Sequence, residues 1–192
     1  KYAYMYGKTV SLIPCHSDRS NAVQMRNRRI GLSQSGIIQA MNKFGRRQYL
    51  GMCNEGYKYV RELDRIYSDW LCVPRSIKVS SIKPSGTTSL LAGATPGIHY
   101  PHSSCYIRRI RIADTSPLIG LCQRAGYSVE PDVYVPNTMV VSFPVKEELV
   151  DRGKEQVSMW EQLENAAAMQ RYWSDNAVSA TVTINEQEGK EL

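Results

Sequence analysis

The stretch best equipped for chemistry runs Ser80-Ser81-Ile82-Lys83-Pro84-Ser85-Gly86-Thr87-Thr88-Ser89-Leu90-Leu91-Ala92-Gly93. A β-rich run enters a turn of hydroxyl residues and glycine, and a short apolar helix follows. The first N–H groups of a helix have no intrahelical partner, and the helix dipole favours an anion there. Gly86 leaves room for a phosphate against the backbone, while Ser85, Thr87, Thr88 and Ser89 add hydroxyl donors. Pro84 fixes φ on the approach and withholds no donor that an anion needs. The pattern is not a Walker loop, because no Gly-Lys-Ser/Thr follows the glycine. A strand-to-helix turn capped by Ser or Thr uses the same residue types, so the local pattern alone keeps ordinary capping ahead of anion binding.

Other groups of reactive side chains carry less. His99-x-x-His102-x-x-Cys105 has metal-type spacing, but Pro101 breaks any regular helix and no fourth ligand is near, so no metal site is expected. In Ile107-Arg108-Arg109-Ile110-Arg111-Ile112, strand alternation sends Arg109 and Arg111 to a solvated face. Arg108 shares the apolar face with Ile110 and Ile112, and there it needs a carboxylate, a carbonyl or a ligand phosphate. Arg26, Arg28 and Arg29 lack the interleaved aromatics of a single-strand nucleic-acid site and read as a solvated helix face. The five cysteines, Cys15, Cys53, Cys72, Cys105 and Cys122, form no C-x-x-C pair. They are expected to be reduced, small apolar side chains in a cytoplasmic setting.

The elements that must position the loop follow from periodicity. Residues 1–75 read as helical. One helix is expected from Ser17 or Asp18 towards Phe44, interrupted near Gly31 and Gly36 and stopped by Gly45. A second spans Gln48–Leu71, with Cys53, Tyr57, Val60, Leu63, Tyr67, Trp70 and Leu71 on its buried stripe. Over 76–185 strands and helices alternate. Strands are expected at Ile77–Ile82, Cys105–Ile112, within Val133–Val145 and at Ala177–Ile184; within Val133–Val145, Pro136 should interrupt and Pro144 end the run. Helices are expected at Thr87–Ala92, Ser116–Ala125 and Val157–Trp173, the last with Trp160, Leu163, Ala166, Ala167 and Trp173 in the core. The alternation indicates an α/β fold with strands joined by crossover helices. Residues 186–192 form a polar tail of doubtful order.

Composition agrees with one ordinary domain over residues 1–192: 42% of residues are hydrophobic and 22% charged. The uncharged run 84–107 contains Pro84, Gly86, Gly93, Pro96, Gly97 and Pro101, which excludes a membrane-spanning helix there. A net charge of +6 suits an anionic ligand without specifying one.

Taken together, the segments resemble a known family. Ile82-Lys83-Pro84-Ser85-Gly86-Thr87-Thr88-Ser89-Leu90-Leu91-Ala92-Gly93-Ala94-Thr95-Pro96-Gly97-Ile98-His99 closely resembles the substrate-phosphate loop of adenosylcobalamin-dependent (class II) ribonucleoside-triphosphate reductases. Tyr106–Ile112 follows at the family's distance, Arg26-Asn27-Arg28-Arg29-Ile30-Gly31 resembles its upstream helix motif, and Trp173-Ser174-Asp175-Asn176-Ala177-Val178-Ser179 resembles a late barrel strand with its lead-in. The matches keep the family's order and cover most of the chain.

The resemblance implies part of a ten-stranded α/β barrel, its second half. It implies reduction of a ribonucleotide at its 2′ carbon, with adenosylcobalamin generating a cysteine thiyl radical and a dithiol such as thioredoxin re-reducing the enzyme. Pro84, Ser85, Gly86, Thr87, Thr88 and Ser89 would hold the substrate phosphates. The family's Asn-Pro-Cys-Gly-Glu motif, with its radical cysteine and carboxylate, is not in the sequence and is expected upstream of Lys1; the C-terminal shuttle cysteines are also missing. A chain that starts at Lys1 is therefore expected to be a fragment, inactive alone, with no catalytic residue of its own. Two alternatives remain at this level: a cobalamin-dependent ribonucleoside-diphosphate reductase, and a small basic nucleic-acid-binding module. No membrane partner is expected, and no nucleic acid under the reductase reading.

Overall fold

The structure, a computed structural model, describes residues 1–190. Four helices form its first part: α1 (Tyr2–Val10), α2 (Asp18–Asn27), α3 (Ile37–Phe44) and α4 (Arg46–Trp70). The sequence predicts one interrupted helix over the second and third. The interruption is long, because α2 ends at Arg28 with φ 45° and the chain then runs extended through Leu32. Arg28 thereby leaves the solvated face expected for it: it is buried, and its guanidinium donates to the Ser11 carbonyl. Gly45, at φ +81°, is the single residue between α3 and α4, a conformation that favours glycine.

Tyr4 and Lys8 lie one turn apart on α1 and face α4. The stripe on α4 includes Tyr49, Cys53, Val60, Leu63 and Tyr67, as its spacing requires. It stops there: Trp70 is 74% exposed and Leu71 is exposed too, since the last turn lies against Tyr67 from the solvent side.

The core contains three extended segments running parallel. Leu32 bridges Ser80, and Ile82 bridges Val178. Around them pack Ile30, Ile37, Val79, Ile98, Met169 and Trp173. The strands expected at Ile77–Ile82 and Ala177–Ile184 are thus single bridges instead of ladders. The reason is where their backbone groups bond. Val79 N–H donates to the Asp175 carboxylate, Thr181 N–H to His99 Nε2 and Thr183 N–H to Gln162 Oε1, so side chains take the place of neighbouring strands.

A separate antiparallel sheet has the order β1-β3-β2, formed by β1 (Cys105–Ala113), β2 (Ser128–Pro131) and β3 (Thr138–Lys146). Helix α5 (Thr88–Leu91) precedes the sheet and α6 (Leu118–Arg124) lies between β1 and β2. The architecture is α/β, yet the crossover connections expected between parallel strands do not describe this sheet. Pro136 sits in the β2–β3 turn as expected, where the Asp132 carboxylate accepts from Tyr134 and Val135 N–H. Pro144 does not end β3. Pairing with β2 stops at Ser142, so Pro144 lies where β3 is open on one side and a missing N–H is tolerated.

Helix α7 (Met159–Tyr172) is capped by Ser158, whose Oγ accepts from Glu161 N–H at 3.1 Å. Its buried face is Met159, Gln162, Asn165 and Met169, with Trp173 just beyond. Trp160, Leu163 and Ala167, expected in the core, are exposed. Two amides occupy the face instead: Gln162 is hydrogen-bonded to Val157 and Thr183, and Asn165 to Tyr100. Of the polar tail, Glu188 is anchored, its carboxylate accepting from Met159 N–H at 2.9 Å; Glu191 and Leu192 lie outside the described residues.

Candidate anion-binding loop

The loop after Ile82 leaves the carboxyl end of the central extended segment, where ligands of α/β sheets sit. Thr87 is the N-cap of α5, and Ser89 N–H donates to the Ser85 carbonyl at 3.1 Å. Among the described residues, the N–H groups of Gly86, Thr87 and Thr88 meet no acceptor, and all three residues are exposed. Consecutive unpaired donors at a helix start, with two threonine hydroxyls beside them, can take an anion. Gly86 does not have positive φ, and a β-carbon placed on it would meet nothing within 4 Å. The site is therefore open on the face an anion would approach.

Two of the six expected residues differ in role. Ser89 is buried, and its hydroxyl turns back to the Ser85 carbonyl instead of outward. Pro84 is exposed and supplies conformation only. Leu91, adjoining the loop, is 91% exposed, so α5 is held by Ser89 and the half-buried Leu90.

Neighbouring segments complete the loop. Lys83 N–H donates to Ser33 Oγ at 2.9 Å, and the Ser35 and Ser85 hydroxyls lie 2.6 Å apart. Arg108 comes across from β1, its Nη1 3.4 Å from the Gly86 carbonyl and its guanidinium 6.0 Å from the centre of the Tyr106 ring. Burial, then the bond to Glu147, pushes the Tyr106 phenol up, so it remains a donor at neutral pH. Arg108 thus finds the carbonyl its sequence position calls for, and brings positive charge to the loop. Ser33 and Ser35 escape a reading based on the loop alone. Their signal is a texture like that of 82–89: an apolar run, Ile30-Gly31-Leu32, then small hydroxyl residues, then a helix.

The other candidate groups disperse. His99 Nδ1 contacts the Pro96 carbonyl while its Nε2 accepts from Thr181 N–H, and His102 and Cys105 are exposed. Arg109 and Arg111 are exposed as expected, but paired with Glu130 and Asp132. The described cysteines are free thiols, and burial pushes the Cys53 thiol up, away from reactivity. Among the described residues, no helix is long and apolar enough to cross a membrane.

No protein-family model matches the chain. Curated relatives do. It is 50% identical over 192 residues to the adenosylcobalamin-dependent ribonucleoside-triphosphate reductase of Euglena gracilis, covering 99% of this chain and 26% of that protein. To the probable enzyme of the same name from Dictyostelium discoideum it is 49% identical over 193 residues, again 26% of that protein. To that of Lactobacillus leichmannii it is 35% identical over 219 residues, 30% of that protein. A crystal structure of a B12-dependent (class II) ribonucleotide reductase superposes with a TM-score of 0.89 at 33% identity, over 98% of this chain and 30% of that one. The chain spans about a quarter to a third of the length of these relatives. In sequence and in fold, then, it is a homologue of one segment of the adenosylcobalamin-dependent ribonucleoside-triphosphate reductases.

Proposed function

We propose that this chain contributes the substrate-phosphate loop of an adenosylcobalamin-dependent ribonucleoside-triphosphate reductase. The observation that carries the proposal is the row of unpaired N–H groups at Gly86, Thr87 and Thr88, with the Arg108 guanidinium against the Gly86 carbonyl. Backbone donors and a nearby cation recognise a phosphate chain without reading the base. In this reading Ser85 to Thr88 hold the substrate phosphates while Pro84 and Ser89 shape the turn, and the three parallel segments belong to the second half of a ten-stranded barrel. The site would orient a ribonucleotide for reduction at its 2′ carbon, with a dithiol protein such as thioredoxin restoring the reductant. Free thiols suit the reducing cytoplasm.

Adenosylcobalamin supplies radical initiation when bound to the complete enzyme. Among the described residues, both ring nitrogens of His99 are engaged, and His16 and His102 are exposed loop residues.

A basic nucleic-acid module is less well supported, since the arginines of the sheet face are neutralised by Glu130 and Asp132. The test is a chimera in which these 192 residues replace the matching segment of the Euglena gracilis enzyme. It is expected to form 2′-deoxyribonucleoside triphosphates with adenosylcobalamin and a dithiol. A folded chimera without activity would overturn the proposal, and preference for diphosphates would redirect it to the diphosphate reductases.

A further inference from the structure

The phosphate loop and its partner Ser33-Gln34-Ser35 stand at the ends of two extended segments, 78–82 and 30–32. A regular parallel ladder beside the Leu32–Ser80 bridge would pair Val79 N–H with the Ile30 carbonyl. That bond is missing. Ile30 N–H goes to the Lys78 carbonyl, out of ladder register with the bonds made by Leu32. Each orphaned group is taken by a side chain from one turn. The Asp175 carboxylate accepts from Val79 N–H and from Ser80 N–H and Oγ. The Asn176 amide donates to the Ile30 and Ser80 carbonyls, at 3.0 and 2.7 Å.

Trp173 acts one step nearer the loops. Its indole N–H lies 3.2 Å from both the Leu32 and the Ser81 carbonyls, near the carboxyl ends of the two segments. Its ring is buried. Leu32 N–H donates to the Val79 carbonyl and Ser81 N–H to the Leu32 carbonyl, so the segments are bonded directly there, and the indole adds a donor shared between them. Beyond it, the Lys83 N–H to Ser33 bond and the Ser35–Ser85 contact link the loops themselves.

We propose that Trp173, Asp175 and Asn176 form a clasp of positioning residues, which sets the stance of the 83–89 loop against Ser33–Ser35 and so governs triphosphate affinity. None of the three touches the phosphates. Asp175 and Asn176 replace the ladder bonds at the foot of the segments, and Trp173 braces the bonded pair at the top. The proposal rests on the phosphate-loop reading and deepens it.

The experiment uses the chimeric reductase and three variants. Gly86→Val probes the loop directly; Trp173→Phe removes the shared donor but keeps a buried ring; Asn176→Ala removes the amide. Ribonucleoside triphosphate binding is measured by calorimetry, the KM and kcat by turnover, and folding by circular dichroism. Trp173→Phe and Asn176→Ala should each weaken triphosphate binding by about tenfold, the loss of one or two well-placed hydrogen bonds, with KM rising more than kcat falls. If Gly86→Val weakens binding while folded clasp variants bind as the parent does, the clasp is overturned and the loop reading stands. If Gly86→Val binds normally, the loop reading fails and the clasp proposal fails with it. Should both clasp variants fail to fold, the turn is structural only, which also overturns the proposal.

Discussion

A side chain at position 86 would project into open space, whereas one at position 97 would strike backbone. This contrast separates a glycine available to the proposed ligand from one required by the fold. A β-carbon on Gly97 would lie 2.6 Å from the Lys83 carbonyl oxygen, and its φ of +54° is one that residues with side chains rarely adopt. Gly97→Ala is expected to lose more than about 1–2 kcal/mol, the left-handed penalty, because the contact adds to it. Gly86→Val should change stability by less than about 0.5 kcal/mol, as surface substitutions do, while weakening nucleotide binding in the chimera. Denaturant titration of both variants checks the pair.

The buried Lys8–Asp64 pair is the other decisive residue-scale feature. Its atoms are 2.7 Å apart, with Tyr4 and Ser76 also bonded to the carboxylate. Burial pushes the Asp64 carboxyl up, but the bonds from Lys8, Tyr4 and Ser76 outweigh it and hold it below the usual carboxylate range. Its folded value is lowered, so its contribution to stability is complete above the ordinary carboxylate range and is lost as pH falls through that lowered value. Asp64→Asn should cost about 3–5 kcal/mol at neutral pH by leaving a buried ammonium unpaired. The gap between variant and parent should close on acidification; a gap that is constant down to acid pH would contradict the assignment.

At the scale of elements, the sequence was legible where burial is apolar and regular. Helix α4 keeps a stripe of large side chains on one face, and periodicity finds it to within two residues of either end. Helix α7 defeats the same reasoning. Its inward face carries Gln162 and Asn165, which belong inside because they bond to loop backbone and to Tyr100, while Trp160 and Leu163 turn outward. A hydropathy pattern cannot register an amide whose value lies in its partners. The parallel segments were legible as extended chain but not as unpaired strands, since Asp175 and Gln162 lie far away in sequence. The loop itself was found from residue types, but its companions Ser33 and Ser35 were not, because tertiary proximity joins them. The Ser158 cap was not read, since the helix was expected to begin at Val157; Ser158→Ala should cost about 1 kcal/mol through the lost bond to Glu161 N–H, measurable as a lowered denaturation midpoint with unchanged slope.

At the scale of the whole molecule, chain length and chemistry meet. The sequence holds no Asn-Pro-Cys-Gly-Glu motif, and the 83–89 loop holds no cysteine that could carry a thiyl radical. The 192-residue chain by itself is therefore expected to form no deoxynucleotide from ribonucleoside triphosphate, adenosylcobalamin and dithiol, although the chimera should. Product formed by the isolated chain above a no-protein control would refute this.

The antiparallel sheet has a consequence for the order in which the molecule comes apart. The principal apolar cluster is built from α1, α3, α4, the parallel segments and the end of α7 with Trp173, and no residue of β1, β2 or β3 belongs to it. Much of β1 is exposed, Ile107 to 68%. A unit so lightly buried should open as its own cooperative foldon, below the free energy of global unfolding. Native-state hydrogen exchange should then show Val140 and Val141 amides merging into a lower isotherm than those of Leu63 and Tyr67. During such an opening the loop at Gly86 would lose Arg108 while keeping its tie to Ser35, so the molecule would pass through a form with the proposed phosphate cradle intact and its countercharge withdrawn.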